Sequence, residues 1–120
     1  MRGDKLMESW LSSIGPDDRV VTCAIARGEV LFGIGRLAPG NRRTELERKA
    51  TKVFAALPCK HIPSAAGDRY AGVKVSQQSR GLPLDENDLW IAATALAVDA
   101  ALVTNDSDFQ SVEELAVVRP

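Results

Sequence analysis

Apolar residues along the chain follow two alternating patterns, one of helical spacing and one of short continuous runs. The helical spacing predicts amphipathic helices over residues 5–13, 26–37, 44–57, 64–79 and 86–98. The continuous runs predict buried strands over residues 19–24, 101–104 and 115–118, with a short extended piece over 61–63. Helices that alternate with buried strands indicate an α/β fold with a mainly parallel sheet flanked by helices.

The predicted helices are bounded by residues that favour helix ends. Pro39-Gly40 and Pro58 follow two of them, and Ser64 and Asp85 are predicted N-caps of the two that come next. Gly81 is a predicted glycine C-cap. A length of 120 residues suits one domain with a core of its own, so we predict a single domain over residues 1–120.

Within this pattern, particular side chains are predicted to face the core. Phe32 is a candidate for the core or for a partner surface, and Trp90 is predicted to pack beneath the acidic residues that precede it. Other predicted core side chains include Cys23, Val30, Leu31, Ile34, Leu37, Leu46, Ala50, Val53, Phe54, Leu57, Tyr70, Val73 and Val75.

Composition narrows the possible partners and location. The chain carries 15 basic and 16 acidic residues for a net charge of -1, so contacts with nucleic acid or membrane would need local patches. Cys23 and Cys59 lack the spacing of a zinc site and suit a reducing compartment. Neither an apolar run of membrane-spanning length nor an apolar segment typical of a signal peptide occurs, which favours a cytoplasmic protein.

Carboxylates stand on both sides of the apolar stretch within residues 81–109. Asp88 lies near the start of a predicted helix, and Asp106 and Asp108 follow a predicted strand. Glu29 follows another predicted strand, and ligand sites of parallel sheets lie at the carboxyl ends of strands. Carboxylates that gather there repel one another unless a cation joins them, and their oxygen atoms suit Mg²⁺ or Mn²⁺.

Each acid also has a purely structural interpretation. An acid in the first turn of a helix is favoured by the helix dipole, which would account for Asp88. Acids are common in turns, which would account for Asp106 and Asp108, and Glu29 could simply face solvent. The spacing alone is therefore consistent with a metal site without establishing one.

Three blocks of the sequence resemble PIN-domain proteins, in particular the VapC-type toxins of bacterial toxin–antitoxin pairs. They are residues 24–33 (AIARGEVLFG), 81–93 (GLPLDENDLWIAA) and 102–109 (LVTNDSDF). The resemblance implies a three-layer PIN-like fold and a metal-dependent endoribonuclease. It further implies that Glu29, Asp88 and Asp106 are catalytic and bind Mg²⁺ or Mn²⁺, with Asp108 as an additional metal ligand and Thr104 as an accessory polar residue.

The sequence departs from this family at its start. Family members begin with a strand that ends in an aspartate, and residues 1–4 (MRGD) instead look like the loop that follows it. We therefore expect the first strand and one metal ligand to be missing, and Asp4 does not replace that ligand. The alternative function is a truncated PIN relative, weakly active or inactive, that acts as an antitoxin-binding or dimerisation module.

The resemblance also indicates partners. Basic residues should surround an acidic site that receives RNA, and Arg27 and Arg36 are candidates, whereas Arg42-Arg43 better fit ordinary ion pairs. Family members form homodimers and hold a VapB-like antitoxin in a groove of their N-terminal helices. The helices that contain Trp10 and Phe32 would supply this groove here.

Overall fold

The computed structural model describes residues 22–119, which fall into two compact units that meet in sequence between His61 and Ile62. The predicted helix over residues 5–13, which contains Trp10, lies outside the described residues, as do Asp4 and positions 19–21 of the first predicted strand. The domain assignment over residues 1–120 stays a prediction.

The first unit contains two helices and two short strands within its described part. Strand β1 (Thr22–Cys23) leads directly into helix α1 (Ala24–Gly35), and helix α2 (Asn41–Ala56) is followed by strand β2 (Cys59–Lys60). β1 and β2 pair in parallel, with Thr22 opposite Cys59. The predicted strand over 19–24 ends earlier than expected because Ala24 already belongs to the helix. β2 was not predicted; the extended piece was expected at 61–63 instead.

The core of the first unit forms where α1 packs on α2. Its buried residues are Ile34, Leu46 and Ala50, and Val30, Leu37 and Phe54 pack against them. Cys23 is buried as predicted. The prediction for Leu31 is wrong, because this side chain lies beside the core-facing stripe and is 44% exposed. Phe32 is 66% exposed, so its interpretation as a core residue is also wrong.

The second unit is built on two helices that pack against each other, α3 (Ser64–Ser79) and α4 (Glu86–Ala97). Strand β3 (Leu102–Val103) follows α4, and a 3₁₀ helix (Ser107–Ser111) connects it to strand β4 (Val117–Val118). β3 and β4 pair in parallel, with Leu102 opposite Val117. All strand pairs of the described residues are thus parallel, as the sequence predicts.

Small side chains allow α3 and α4 to approach closely. Ala66 of α3 and Ala92 and Ala93 of α4 are completely buried, and larger residues such as Leu89 fill the remaining space. On α3, Tyr70 and Val73 are half-buried, but Val75 is 68% exposed, so its predicted core position is wrong. Residues 66, 70, 73 and 77 follow one face at helical spacing, and residue 75 lies on another face.

Helix α3 has well-defined ends, and the turn after it leads the chain toward the acidic residues at the start of helix α4. Gly81 has φ +70 and follows α3, and the backbone N–H of Gly81 donates to Gln78 while that of Leu82 donates to Gln77. This is a Schellman motif, which confirms the predicted glycine at the helix end. Ser64 is the first residue of α3 and not its N-cap; Pro63 takes that position, without a side-chain hydrogen bond.

Candidate metal-binding and catalytic site

Asp88 lies at the third position of helix α4, where its place is set by the preceding cap. The side chain of Asp85 accepts a hydrogen bond from the backbone N–H of Asp88 at 2.9 Å, which confirms Asp85 as the N-cap. Asp88 is half-buried, whereas Asp85 is exposed. The helix N-terminus favours negative charge, which suits a carboxylate at position 88.

Asp106 lies at the point where the chain leaves strand β3. The hydroxyl of Thr104 accepts a hydrogen bond from the backbone N–H of Asp106 at 3.0 Å. The carboxylate of Asp106 in turn accepts one from the backbone N–H of Asp108 at 2.9 Å and caps the 3₁₀ helix. Thr104 therefore orients the turn, and Asp106 and Asp108 both stand exposed at the carboxyl end of a parallel strand.

Glu29 lies on the exposed surface of helix α1, in the first unit. Asp88, Asp106 and Asp108 belong to the second unit. Neither unit, over its described residues, contains a group of three or more His, Cys, Asp or Glu side chains that could hold a metal ion. The gathering of Glu29 with Asp88 and Asp106 at one site therefore stays a prediction.

The donor chemistry of these residues fits a divalent cation of the magnesium type. Asp88, Asp106 and Asp108 offer carboxylate oxygens, and Thr104 adds a hydroxyl. Mg²⁺ and Mn²⁺ prefer such oxygen ligands, and one or two carboxylates together with substrate phosphates are often sufficient. Both acid-bearing segments lie in the same unit.

The predicted RNA-contacting arginines lie on or beside helix α1. The guanidinium carbon of Arg27 lies 5.1 Å from the centre of the Phe54 ring, and that of Arg36 lies 5.6 Å from the centre of the Phe32 ring. A guanidinium above an aromatic ring gains a cation–π interaction and keeps its N–H donors free to point elsewhere. Arg43 donates to Glu47 at 2.8 Å, which agrees with the ordinary ion pair expected for it.

A network of side chains that the sequence did not reveal occupies the start of α4. The Tyr70 ring stacks on that of Trp90, with centres 4.2 Å apart and an angle of 15° between their planes. The Tyr70 hydroxyl donates to Glu86, and Lys74 donates to both Glu86 and Tyr70, at 3.1 and 3.0 Å. Trp90 thus packs on α3 through Tyr70.

This network changes the titration of two of its members. The hydrogen bond from Tyr70, followed by that from Lys74, lowers the pKa of Glu86 from its ordinary 4.5. Hydrogen bonds to Tyr70 and Glu86 raise the pKa of Lys74. The ionised Glu86 therefore contributes stability above pH 4.5, and this contribution disappears as the pH falls through its lowered pKa.

We expect Tyr70→Phe to raise the pKa of Glu86 toward 4.5 while leaving it slightly low, because the hydroxyl is lost and Lys74 remains. Carbon-detected NMR titration of the glutamate carboxyls measures this directly. Glu45 is the internal control, since the pKa of its carboxyl is lowered by Arg48 in the other unit and should not respond. An unchanged pKa of Glu86 would show that the hydroxyl does not stabilise its charge.

Parallel strands that alternate with helices define an α/β protein, with acids at the carboxyl end of strand β3 and at the start of helix α4. The chain belongs to the PIN-domain family, whose model matches residues 2–115. This membership confirms the resemblance seen in the three sequence blocks.

Named relatives agree with the family assignment. The chain is 31% identical to Ribonuclease VapC1 of Haemophilus influenzae strain R2866, over 92% of this chain and 81% of that protein. It is 28% identical to Ribonuclease VapC5 of Mycobacterium tuberculosis, over 84% of this chain and 74% of that protein.

A solved structure supports the fold. The chain superimposes with a TM-score of 0.80 on a chain from the crystal structure of VapBC2 from Rickettsia felis bound to a promoter DNA fragment. The match covers 96% of this chain and 85% of that one at 20% identity. The α/β PIN-like fold predicted from the sequence is thereby confirmed.

Proposed function

We propose that this protein is a metal-dependent endoribonuclease of the VapC type, the toxin of a toxin–antitoxin pair. One observation carries the proposal: a relative named Ribonuclease VapC1 is 31% identical over 92% of the chain. The acids at the start of α4 and the end of β3 provide the chemical support, since phosphodiester hydrolysis by metal ions uses carboxylate ligands.

In this proposal Asp88, Asp106 and Glu29 hold a divalent cation, Mg²⁺ or Mn²⁺, and Asp108 is an additional ligand. Such an ion, when bound, lowers the pKa of a coordinated water and neutralises charge that develops on the phosphate. The chain's own contribution is orientation. Thr104 fixes the backbone at Asp106, and the Asp85 cap fixes the backbone at Asp88.

RNA contacts are proposed for Arg27 and Arg36. Both side chains are exposed and lie above aromatic rings, so each is held in place with N–H donors available for phosphate oxygens. The net charge of -1 gives the whole chain no attraction for RNA, which makes such local contacts necessary.

We further propose a VapB-like antitoxin and a second copy of the chain as protein partners, with the cytoplasm as the location. The support is that several solved structures of similar fold are described as VapBC assemblies. Helix α1 exposes Phe32 and Leu31, which suit an apolar protein contact. No helix among residues 22–119 is long and apolar enough to cross a membrane.

The test is cleavage of a structured RNA by the purified chain with Mg²⁺ or Mn²⁺. We expect cleavage that stops with EDTA and returns when the metal is restored. A parallel preparation of Asp106→Asn controls for contaminating nuclease and should be inactive. A folded protein that leaves RNA intact in both metals would contradict the proposal and favour the binding-module alternative. Cleavage that persists both in EDTA and in the variant would contradict the assignment of the metal site.

A further inference from the structure

Gln77 is the most completely buried large side chain among the described residues, and it is polar. It lies on the face of α3 that packs against α4, with only 1% of its surface exposed. A buried amide costs free energy unless its donors and acceptor are all paired. An apolar side chain of similar size would fill the same space without this requirement. Packing alone therefore does not explain why a glutamine occupies this position.

All of the polar atoms of Gln77 are paired, and their partners lie outside helix α3. Its amide nitrogen donates to the backbone carbonyl of Leu82 and to the hydroxyl of Ser111, both at 2.8 Å. Its amide oxygen accepts from the guanidinium of Arg80 at 3.3 Å. One amide thus joins the end of α3 to two separate segments of the chain.

The two segments are those that carry the candidate metal ligands. Leu82 opens the short connection that ends at Asp85, the N-cap whose side chain accepts from the backbone N–H of Asp88. Ser111 ends the 3₁₀ helix that Asp106 caps. The hydroxyl of Ser111 also donates to the backbone carbonyl of Asp108 at 2.9 Å.

Arg80 strengthens the second of these links. Its guanidinium donates to the backbone carbonyl of Ser111 at 2.8 Å and pairs with Glu113 at 3.4 Å. The 3₁₀ helix is therefore held at its last residue by two side chains, that of Gln77 in α3 and that of Arg80 directly after this helix. Its N-cap, Asp106, is held separately, because the backbone N–H of Asp106 donates to the hydroxyl of Thr104.

We propose that Gln77 is a positioning residue for the candidate site. By donating to both Leu82 and Ser111, it fixes the segment leading to Asp88 relative to the turn that carries Asp106 and Asp108. The catalytic meaning of this role rests on the proposed function. The geometric role does not, because it concerns only how two segments of one unit are held.

The experiment compares Gln77→Met, Ser111→Ala and Ala66→Gly with the unsubstituted chain. Gln77→Met keeps the volume and removes all three hydrogen bonds. Ser111→Ala, at a half-buried position, removes the hydrogen bond from Gln77 to the acidic turn together with the one from Ser111 to the Asp108 carbonyl, and it leaves the link from Gln77 to Leu82 in place. Ala66→Gly destabilises the same helix at a completely buried position eleven residues before Gln77, so it is the matched control.

Two measurements are made on each folded variant: amide hydrogen exchange by segment, and Mn²⁺ affinity by calorimetric titration without RNA. We expect Gln77→Met to accelerate exchange over both 82–88 and 106–111, and Ser111→Ala to do so over 106–111 alone. We expect the Mn²⁺ dissociation constant to rise about tenfold in Gln77→Met, as for other residues that orient metal ligands. Ala66→Gly should leave that constant unchanged.

Each of the following results would contradict one part of the proposal. Equal exchange patterns in Gln77→Met and Ala66→Gly would show that Gln77 only stabilises the unit as a whole. Local acceleration with unchanged Mn²⁺ affinity would show that the link does not position the ligands. Absence of Mn²⁺ binding by the unsubstituted chain would contradict the proposed function, and the exchange data alone would then decide the geometric role.

Discussion

Replacing Asp88 with Asn is expected to lower the rate of metal-dependent RNA cleavage by about a hundredfold or more. Mutation of a residue that merely orients a metal ligand typically lowers metal affinity or activity by about 10–100-fold. Removal of a ligand carboxylate should therefore lower the cleavage rate at least as much. The substitution keeps the size of the side chain, and the hydrogen bond to Asp85 uses the backbone N–H and is retained. Single-turnover cleavage at saturating enzyme, with circular dichroism to verify folding, measures the effect.

Asp85→Asn is the matched control for this variant. It makes the same chemical change three positions earlier, and Asn is as good an N-cap as Asp. Helix α4 should therefore begin as before, and cleavage should proceed at the original rate. Equal losses in the two variants would mean that the negative charge near the helix start matters in general, and the assignment of Asp88 as a ligand would fail.

Phe109→Ala is expected to lower the free energy of unfolding by about 3–5 kcal/mol, the usual cost of removing a buried phenyl group. Phe109 is 4% exposed and lies within the 3₁₀ helix, directly after Asp108. It anchors an otherwise polar and exposed turn to the interior of the unit. Urea denaturation followed by circular dichroism gives the change from the shift of the midpoint.

The neighbouring Gln110 provides the control. It is exposed, and Gln110→Ala should change the free energy of unfolding by no more than about 0.5 kcal/mol. If Phe109→Ala were equally mild, the turn would have to be held by its hydrogen bonds alone. The same pair of variants, assayed for Mn²⁺ affinity, would report whether the apolar anchor also keeps the carboxylates of the turn in place.

Helix α3 illustrates how much of the fold the sequence could predict. Its bounds at 64 and 79 agree with the structure because Pro63 fixes an extended backbone before the helix and Gly81 readily adopts the positive φ of +70 after it. The N-cap was misassigned because a serine is a good cap in general, whereas here the extended backbone of Pro63 already precedes the first turn. Local backbone preferences thus located the helix, but they did not decide its first hydrogen bond.

The core-facing side chains were predicted less well than the helices. Val75 is apolar yet exposed, and Gln77 is polar yet buried, since the packing face is set by the position of α4. The spacing of 66, 70, 73 and 77 contains a signal that could have identified Gln77: a polar residue on an otherwise apolar or aromatic helical stripe. Such a residue invites a search for buried partners.

The candidate site could be predicted only in part. Asp85 is the N-cap that the sequence predicts, whereas Asp106, interpreted from the sequence as a metal ligand or a turn residue, also caps the 3₁₀ helix. The family resemblance supplied the identity of the acids. The link from Gln77 to Ser111 joins residues 34 positions apart, and the Tyr70–Glu86 hydrogen bond joins residues 16 apart. Contacts of this kind depend on tertiary packing, which periodicity along the chain does not encode.

The link between Gln77 and Ser111 also sets an order of events during translation. Ribosomes add about 5–20 residues per second, so the 34 positions between the two residues correspond to a delay of roughly 2–7 s. Throughout that interval the side-chain amide of Gln77 lacks the Ser111 hydroxyl as its acceptor. Helix pairing can start early, but the two acid-bearing segments can be locked together only after Ser111 has left the ribosome.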